Sequence, residues 1–297
     1  MMKKLLLSLS SAALLVSCSS VDYAKYKMTD YYSLPKAQKG GYQGCAISGD
    51  NFVSLQNGGW ATVYNLPDMS VKTPLFKLSS FNTITHANVA AFGVERVDKS
   101  DPMPVLYVSM CNRKTLNGWK DACFVERLGT DGSSELVQTI IFDDTDHLFG
   151  YALQWTIDTK RKLLVGFGNT IKNEDSNNRL RIITFKLPKL SDGKEVHLTA
   201  ADALENYLIQ DYCPSHPARV IGQGACIRGD YMFMPTGFGK VEWPSIVYVW
   251  DMKNKRMAYT WDLTDEVKNE FEDIDFYNGD AYIQTNGRGI LKFSFEK

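Results

Sequence analysis

"GYQGCAISGDNF" runs from Gly41 to Phe52, and "IGQGACIRGDYM" runs from Ile221 to Met232. In each copy a short strand with alternating faces ("GCAIS", "ACIRG") enters Gly-Asp and leaves as a second strand ("NFVSL", "YMFMP"). Glycine reaches positive φ at no steric cost and aspartate bonds its own backbone, so Gly-Asp between two β-rich runs predicts a tight hairpin. A third version lies in "IDFYNGDAYIQTNGRG", Ile274 to Gly289, with its turn at Asn278-Gly279-Asp280. A fourth, Tyr151 to Gly168, has a longer turn, and in a fifth, His86 to Met110, the turn has grown into a Pro-containing loop.

More strands follow each hairpin: "WATVYNL" and "KTPLFKL", "ACFVERL" and "ELVQTIIF", "LRIITFKL" and "ENYLIQDY", "SIVYVWDM" and "RMAYTWDL". Four strands recurring at about fifty residues is what a propeller blade requires. The expectation is an all-β fold, a five-bladed β-propeller. The last hairpin has one successor, "ILKFSFEK", so Tyr23 to Pro35 is expected to supply the outer strand of that blade and shut the ring. An unfilled blade would leave an open edge. Two stretches read as helical: "TAADALENYLI" from Thr199, a loop helix or irregular outer strand, and "TDEVKNEFEDI" from Thr264, one exposed turn.

The chain has 297 residues, 44% hydrophobic, with a formal net charge of -1. Nothing in that balance favours a phosphate backbone, so nucleic acid is not an expected partner. Met1 to Lys4 forms a positive start and Leu5 to Val16 an apolar run of signal-peptide length, too short to cross a bilayer. Leu15-Val16-Ser17-Cys18 resembles the lipobox of bacterial lipoproteins. The resemblance implies a signal peptide over 1–17, lipidation of Cys18, a membrane tether over 18–22 and a single domain over 23–297. Ser19, where an aspartate would signal inner-membrane retention, points to the outer membrane. With the repeated "QG..I.GD" hairpin, the whole resembles the β-propeller lipoproteins of Bacteroidetes-type bacteria, which implies a lipid-anchored propeller in the cell envelope and carries over no catalytic residues; a monomer is expected.

In an exported protein cysteines meet an oxidising compartment. Cys111 and Cys123 flank "NRKTLNGWKDA" and are a candidate disulfide across one hairpin base; the alternative is two buried thiols.

In a propeller the innermost strands line the axis, and their starting residues converge on one face. Those starts offer Gln43, His86, Asn88, Gln154, Gln223 and Glu272 with Asp273, flanked by Tyr42, Tyr151 and Trp155. Amides, an imidazole and aromatics suit a glycan or peptide; the same amides can instead cap neighbouring backbone. A hydrolase reading needs a pair of carboxylates. Glu272 or Asp273 could supply one, pointing to opposite faces of a strand, and Asp144 in "FDDTDHLF" the other. Asp143, Asp144, Asp146 and His147 could also hold calcium, though no regular loop motif is present; otherwise no metal or cofactor is expected. His197 reads as lacking polar company and His216, in "CPSHPAR", as a loop residue. A third reading is a scaffold subunit for another envelope protein. Phosphate loops, nucleophile elbows and zinc-protease motifs are absent.

Overall fold

The computed structural model describes residues 21–82, 86–111 and 120–296; the expected signal-peptide segment 1–17, Cys18, and residues 112–119 between Cys111 and Cys123 lie outside the described residues. Five antiparallel units stand around one axis as a five-bladed β-propeller. The first blade runs outward through Tyr42–Ser48, Asn51–Gln56, Trp60–Asn65 and Ser70–Lys77, and the second through Ala90–Phe92, Leu106–Ser109, Cys123–Leu128 and Ser134–Phe142. The third comprises Tyr151–Asp158, Leu163–Asn169, Leu180–Lys186 and Glu205–Leu208, and the fourth Cys226–Arg228, Tyr231–Thr236, Ile246–Asp251 and Arg256–Asp262. The fifth has Glu270–Tyr277, Asp280–Asn286 and Gly289–Phe295, completed on the outside by Tyr26–Tyr32 from the front of the chain.

The hairpins form as the repeated sequence requires. Ser48 pairs with Asn51 and Arg228 with Tyr231, leaving two-residue turns at Gly49-Asp50 and Gly229-Asp230. Both glycines are left-handed, with φ of 54° and 64°. In the last blade Tyr277 pairs with Asp280, so the turn is Asn278-Gly279, both at positive φ, and Asp280 opens the next strand.

Hydrophobic burial is organised between blades. One apolar cluster lies at each of the five interfaces: Val53, Leu55 and Phe92 between the first and second; Trp155, Phe185 and Val125 between the second and third; Trp250, Met232 and Ile182 between the third and fourth. Trp261, Phe233 and Phe293 fill the fourth interface. Cys45, Phe52 and Tyr282 fill the last. A sheet buries each face only against a neighbour, which is why the ring must close. Three fully buried tryptophans also satisfy their indole N–H groups: Trp155 donates to Asp121 O at 2.8 Å, Trp250 to the Tyr207 hydroxyl at 3.0 Å and Trp261 to Tyr23 O at 2.8 Å.

The closing strand does more than pair. Its antiparallel register runs from Tyr26 opposite Phe295 to Tyr32 opposite Ile290. Tyr23 lodges edge-on among Phe233, Phe295 and Tyr231 between the last two blades, while the Tyr31 hydroxyl donates to Leu66 O in the first. One segment thus binds three blades.

One strand has no counterpart in the sequence reading: Glu195–Leu198 leaves the third blade and pairs in parallel with Ser134–Phe142, giving the second blade a fifth strand. Of the two readings for Thr199 to Ile209 the irregular outer strand holds: a single 3-10 turn at Ala200–Asp202 precedes the strand Glu205–Leu208, outermost in the third blade, and a four-residue helix, Ile209–Tyr212, follows. The stretch from Thr264 forms one turn, exposed at Asp265 and Glu266, before Glu270 opens the innermost strand of the last blade. In the first segment outer-edge pairing overrides helical spacing.

Candidate functional site at the strand-start end of the axis

Three innermost strands carry a β-bulge near their beginning, between Tyr42 and Cys45, Tyr151 and Gln154, and Phe271 and Asp273. Bulges re-aim side chains. Here they turn Gln43, Gln154 and Glu272 where a regular pleat would not. Non-glycine residues at positive φ gather at the same end: Ala87 at 58°, Cys111 at 42° and Ala152 at 53°. Each such conformation costs on the order of 1–3 kcal/mol and persists only where its surroundings enforce it.

The amides tie blades together. Asn88 Nδ2 donates to Gln223 O at 3.3 Å, Gln154 Nε2 to Gly222 O at 3.2 Å, and Gln223 Nε2 to Glu270 Oε1 at 3.0 Å. Gln284, buried in the last blade, donates to Gln43 O at 2.6 Å and accepts from the Ser54 hydroxyl at 2.6 Å. These NH2 groups cap other blades. At this end, among the described residues, four acceptor oxygens are buried and without a hydrogen-bond partner: Gln43 Oε1, Asn88 Oδ1, Asn173 Oδ1 and Glu272 Oε1.

A cavity of about 290 Å³ opens at this end. His86, Asn88, Gln154 and Gln223 line it together with Tyr151 and Glu270. Gln43 and Glu272 are buried behind that wall, 7% and 1% exposed. Trp155 and Tyr42 are not ligand-facing aromatics: Trp155 is interior to the second interface, and Tyr42 is buried with its hydroxyl on Pro35 O at 2.6 Å. Glu270, Asn173 and Glu174 were missed. Glu270 was findable, because two residues from Glu272 along a strand shares its face; Asn173 and Glu174 arrive from an irregular loop with no pattern to announce them.

Asp273 takes the opposite direction to Glu272 and crosses the axis. Its Oδ2 accepts from Cys45 N–H at 3.0 Å and Ala90 N–H at 2.9 Å, and Oδ1 from its own neighbour Ile274 N–H at 2.9 Å. Gly224 sits against it so closely that a Cβ there would lie 2.2 Å from Oδ1. The last blade therefore touches the first, second and fourth at this level, and the axis is filled. Burial pushes the Asp273 pKa well above the usual carboxylate range, against the pull of those three N–H donors. Burial, with Glu270 and Asp273 alongside, also drives Glu272 upward.

The hydrolase pair does not assemble. Asp144 caps its own loop, accepting from Leu148 N–H at 2.7 Å and Phe149 N–H at 2.8 Å, and lines a different cavity with Asp143 and His147. No group of three or more His, Cys, Asp or Glu among the described residues is disposed to hold a metal. Cys111 and Cys123 are not bridged; Cys123 stands opposite Ser109, and Cys111 lies two residues beyond that pairing, against the Gln154 amide at 3.7 Å. His197 does have polar company: Nδ1 meets Asp143 and Nε2 meets Glu195, each at 2.8 Å. Glu195 stands two residues before His197 on one strand and shares its face, a spacing the sequence offers; Asp143 arrives only through the parallel pairing with the second blade. His216 is buried edge-on to Tyr248 at 4.6 Å.

At the far end of the axis, where the hairpins turn, a second cavity of about 370 Å³ draws its wall from all five blades, including Ser48, Ala91, Thr156, Arg228 and Asp275.

No protein-family model matches the chain, and no curated protein does. Among solved structures it is similar to the computationally designed Ika8 protein at 10% identity, covering 86% of this chain and 71% of that one with a TM-score of 0.35.

Proposed function

We propose that this protein is an envelope-tethered lipoprotein that binds a ligand, a glycan or peptide, at the strand-start mouth of its axis without transforming it. The observation that carries the reading is the coincidence there of a cavity, three bulges, strained backbone and unpartnered buried oxygens. An unpaired buried acceptor costs about 1–3 kcal/mol; Asn88 Oδ1 and Asn173 Oδ1, on the cavity wall, are the two that a ligand presenting hydrogen-bond donors would satisfy after small side-chain rotations. The hydrolase reading gains no support, because Glu272 and Asp273 are fully buried, Asp273 is held by three backbone N–H groups, and Asp144 is engaged by its own loop. The scaffold reading has an apolar feature, a cavity that the exposed Val94 and Leu204 line with Leu163, Leu187 and Pro188.

The anchor rests on the lipobox around Cys18. Several acyl chains, each methylene contributing about 0.8 kcal/mol, hold a protein to a membrane surface where one does not. Ser19 favours the outer membrane. A Cys18→Ser variant is expected in the soluble fraction and the parent in the membrane fraction; equal partitioning would remove the anchor from the account. A glycan and peptide array probed with the parent, Asn88→Ala and His86→Ala, both on the cavity wall, tests the mouth. Retained binding in both variants would place the site elsewhere.

A further inference from the structure

The hairpin-turn end of the axis is a separate cavity, cut off from the strand-start mouth by Asp273 and its contacts. Its wall is mostly small residues and main chain: Gly49, Ala90, Ala91 and Gly93. Two charges stand out. Asp275, half-buried, has both oxygens anchored on one side, Oδ2 accepting from Ile47 N–H and Oδ1 from Phe276 N–H, each at 2.7 Å. Two N–H bonds fix the carboxylate's orientation and leave its other lone pairs unoccupied. Arg228, on the fourth blade, is exposed. It makes no ion pair within 4 Å among the described residues, yet lies near enough to lower the Asp275 pKa. One negative and one positive group thus share a cavity without touching. Phe276, half-buried on the same strand as Asp275 and on the cavity wall, packs on Phe233 at 4.8 Å and Phe295 at 6.1 Å.

We propose that this end is a second binding site, for a small zwitterion such as a free α-amino acid, whose ammonium is held by Asp275 and whose carboxylate is held by the Arg228 guanidinium. Charge-assisted hydrogen bonds of this kind are about twice as strong as neutral ones, and the guanidinium fork matches a carboxylate. The small wall residues keep main chain and hydroxyls close to the ligand's backbone atoms, and Ser48 and Thr159 border the same space. The site is independent of the glycan or peptide mouth at the other end.

Ionisation of Asp275 gives a second readout. Burial raises its pKa to about 6, with the Ile47 and Phe276 N–H groups and Arg228 opposing; Asp273 and the Cys45 and Cys226 thiols are the other titratable groups close to it. An ammonium requires the ionised form, so affinity rises between about pH 5 and 7.

The test is titration of the full chain with L-alanine, N-acetyl-L-alanine, L-alaninamide and glucose, followed by calorimetry or NMR. L-Alanine is expected to bind, and each blocked derivative to bind at least about tenfold more weakly, the equivalent of about 1.4 kcal/mol. Arg228→Gln, at an exposed position that leaves the fold intact, and Asp275→Asn should each weaken alanine by a similar factor, whereas Asn88→Ala at the opposite mouth should not. Equal binding of the blocked forms or of glucose, indifference to Arg228→Gln, or no binding of alanine at concentrations on the order of 10 mM would each overturn the proposal.

Discussion

Gly44 and Gly224 show why the repeated Gln-Gly precedes each paired strand. A Cβ on Gly44 would lie 2.9 Å from Ala87 O and 3.0 Å from Ala90 N, and one on Gly224 would collide with Asp273. Gly44 N–H also donates to Ala87 O at 2.8 Å, a backbone bond between blades at the axis. Gly44→Ala is therefore expected to destabilise by about 1–3 kcal/mol through overpacking, read from chemical denaturation; no loss would mean that the inner strands are further apart. His216 gives a pH signature. Burial holds its pKa down to about 4, so between that value and the ordinary 6.5 the unfolded chain takes up a proton that the folded chain refuses. Stability from this residue is present above pH 6.5 and about 3 kcal/mol is lost as pH falls toward 4. His216→Phe should flatten that part of the difference between unfolding profiles at pH 7 and pH 4.5. Glu272 acts oppositely, because its raised folded pKa makes the folded state the better proton acceptor as pH falls. At this scale the sequence named five of the cavity's lining residues, His86, Asn88, Tyr151, Gln154 and Gln223, from strand position alone. It could not say which end of each amide faces the cavity, since that depends on carbonyls in other blades.

At the scale of elements, closure and strapping decide the behaviour. Tyr26–Tyr32 covers the exposed edge of Gly289–Phe295, and Arg288 binds Asp30 on the same strand at 2.7 Å. Deleting residues 21–33 uncovers an edge with unpaired backbone groups and strips Tyr23 from the fourth interface. The expected product lacks cooperative unfolding or self-associates, which light scattering and a thermal melt distinguish from the parent; an unchanged monomeric melt would contradict closure by this strand. The parallel strap Glu195–Leu198 is held by backbone pairing and by His197 between Asp143 and Glu195. Those two carboxylates raise the His197 pKa, so the clamp is fully present below the ordinary value and weakens as pH rises through the raised one. Faster hydrogen exchange at Val196 and Leu198 above that pH, and at all pH values in His197→Ala, is the expected result. The hairpins were legible because turn glycines carry local information. The strap was not, because a four-residue strand pairing in parallel with a distant partner has no periodicity of its own.

At the scale of the molecule, the sequence disclosed five blades through repetition, and the five inter-blade cores follow from that number. Repetition says nothing about how the axis is filled. Asp273 on one blade, with backbone donors on two others and Gly224 on a third, is a single-copy device that separates two mouths of different chemistry. One mouth is lined by amides and acceptor oxygens, the other by one acid and one guanidinium. A crystal structure at about 1.2 Å, where amide orientation can be assigned from density and hydrogen bonding, tests this most directly. The account predicts five blades, Asp273 bridging Cys45 and Ala90, and the NH2 groups of Asn88, Gln154 and Gln223 on carbonyl or carboxylate oxygens of other blades. An unobstructed bore along the axis, or amides turned with their NH2 groups into the cavity, would contradict it.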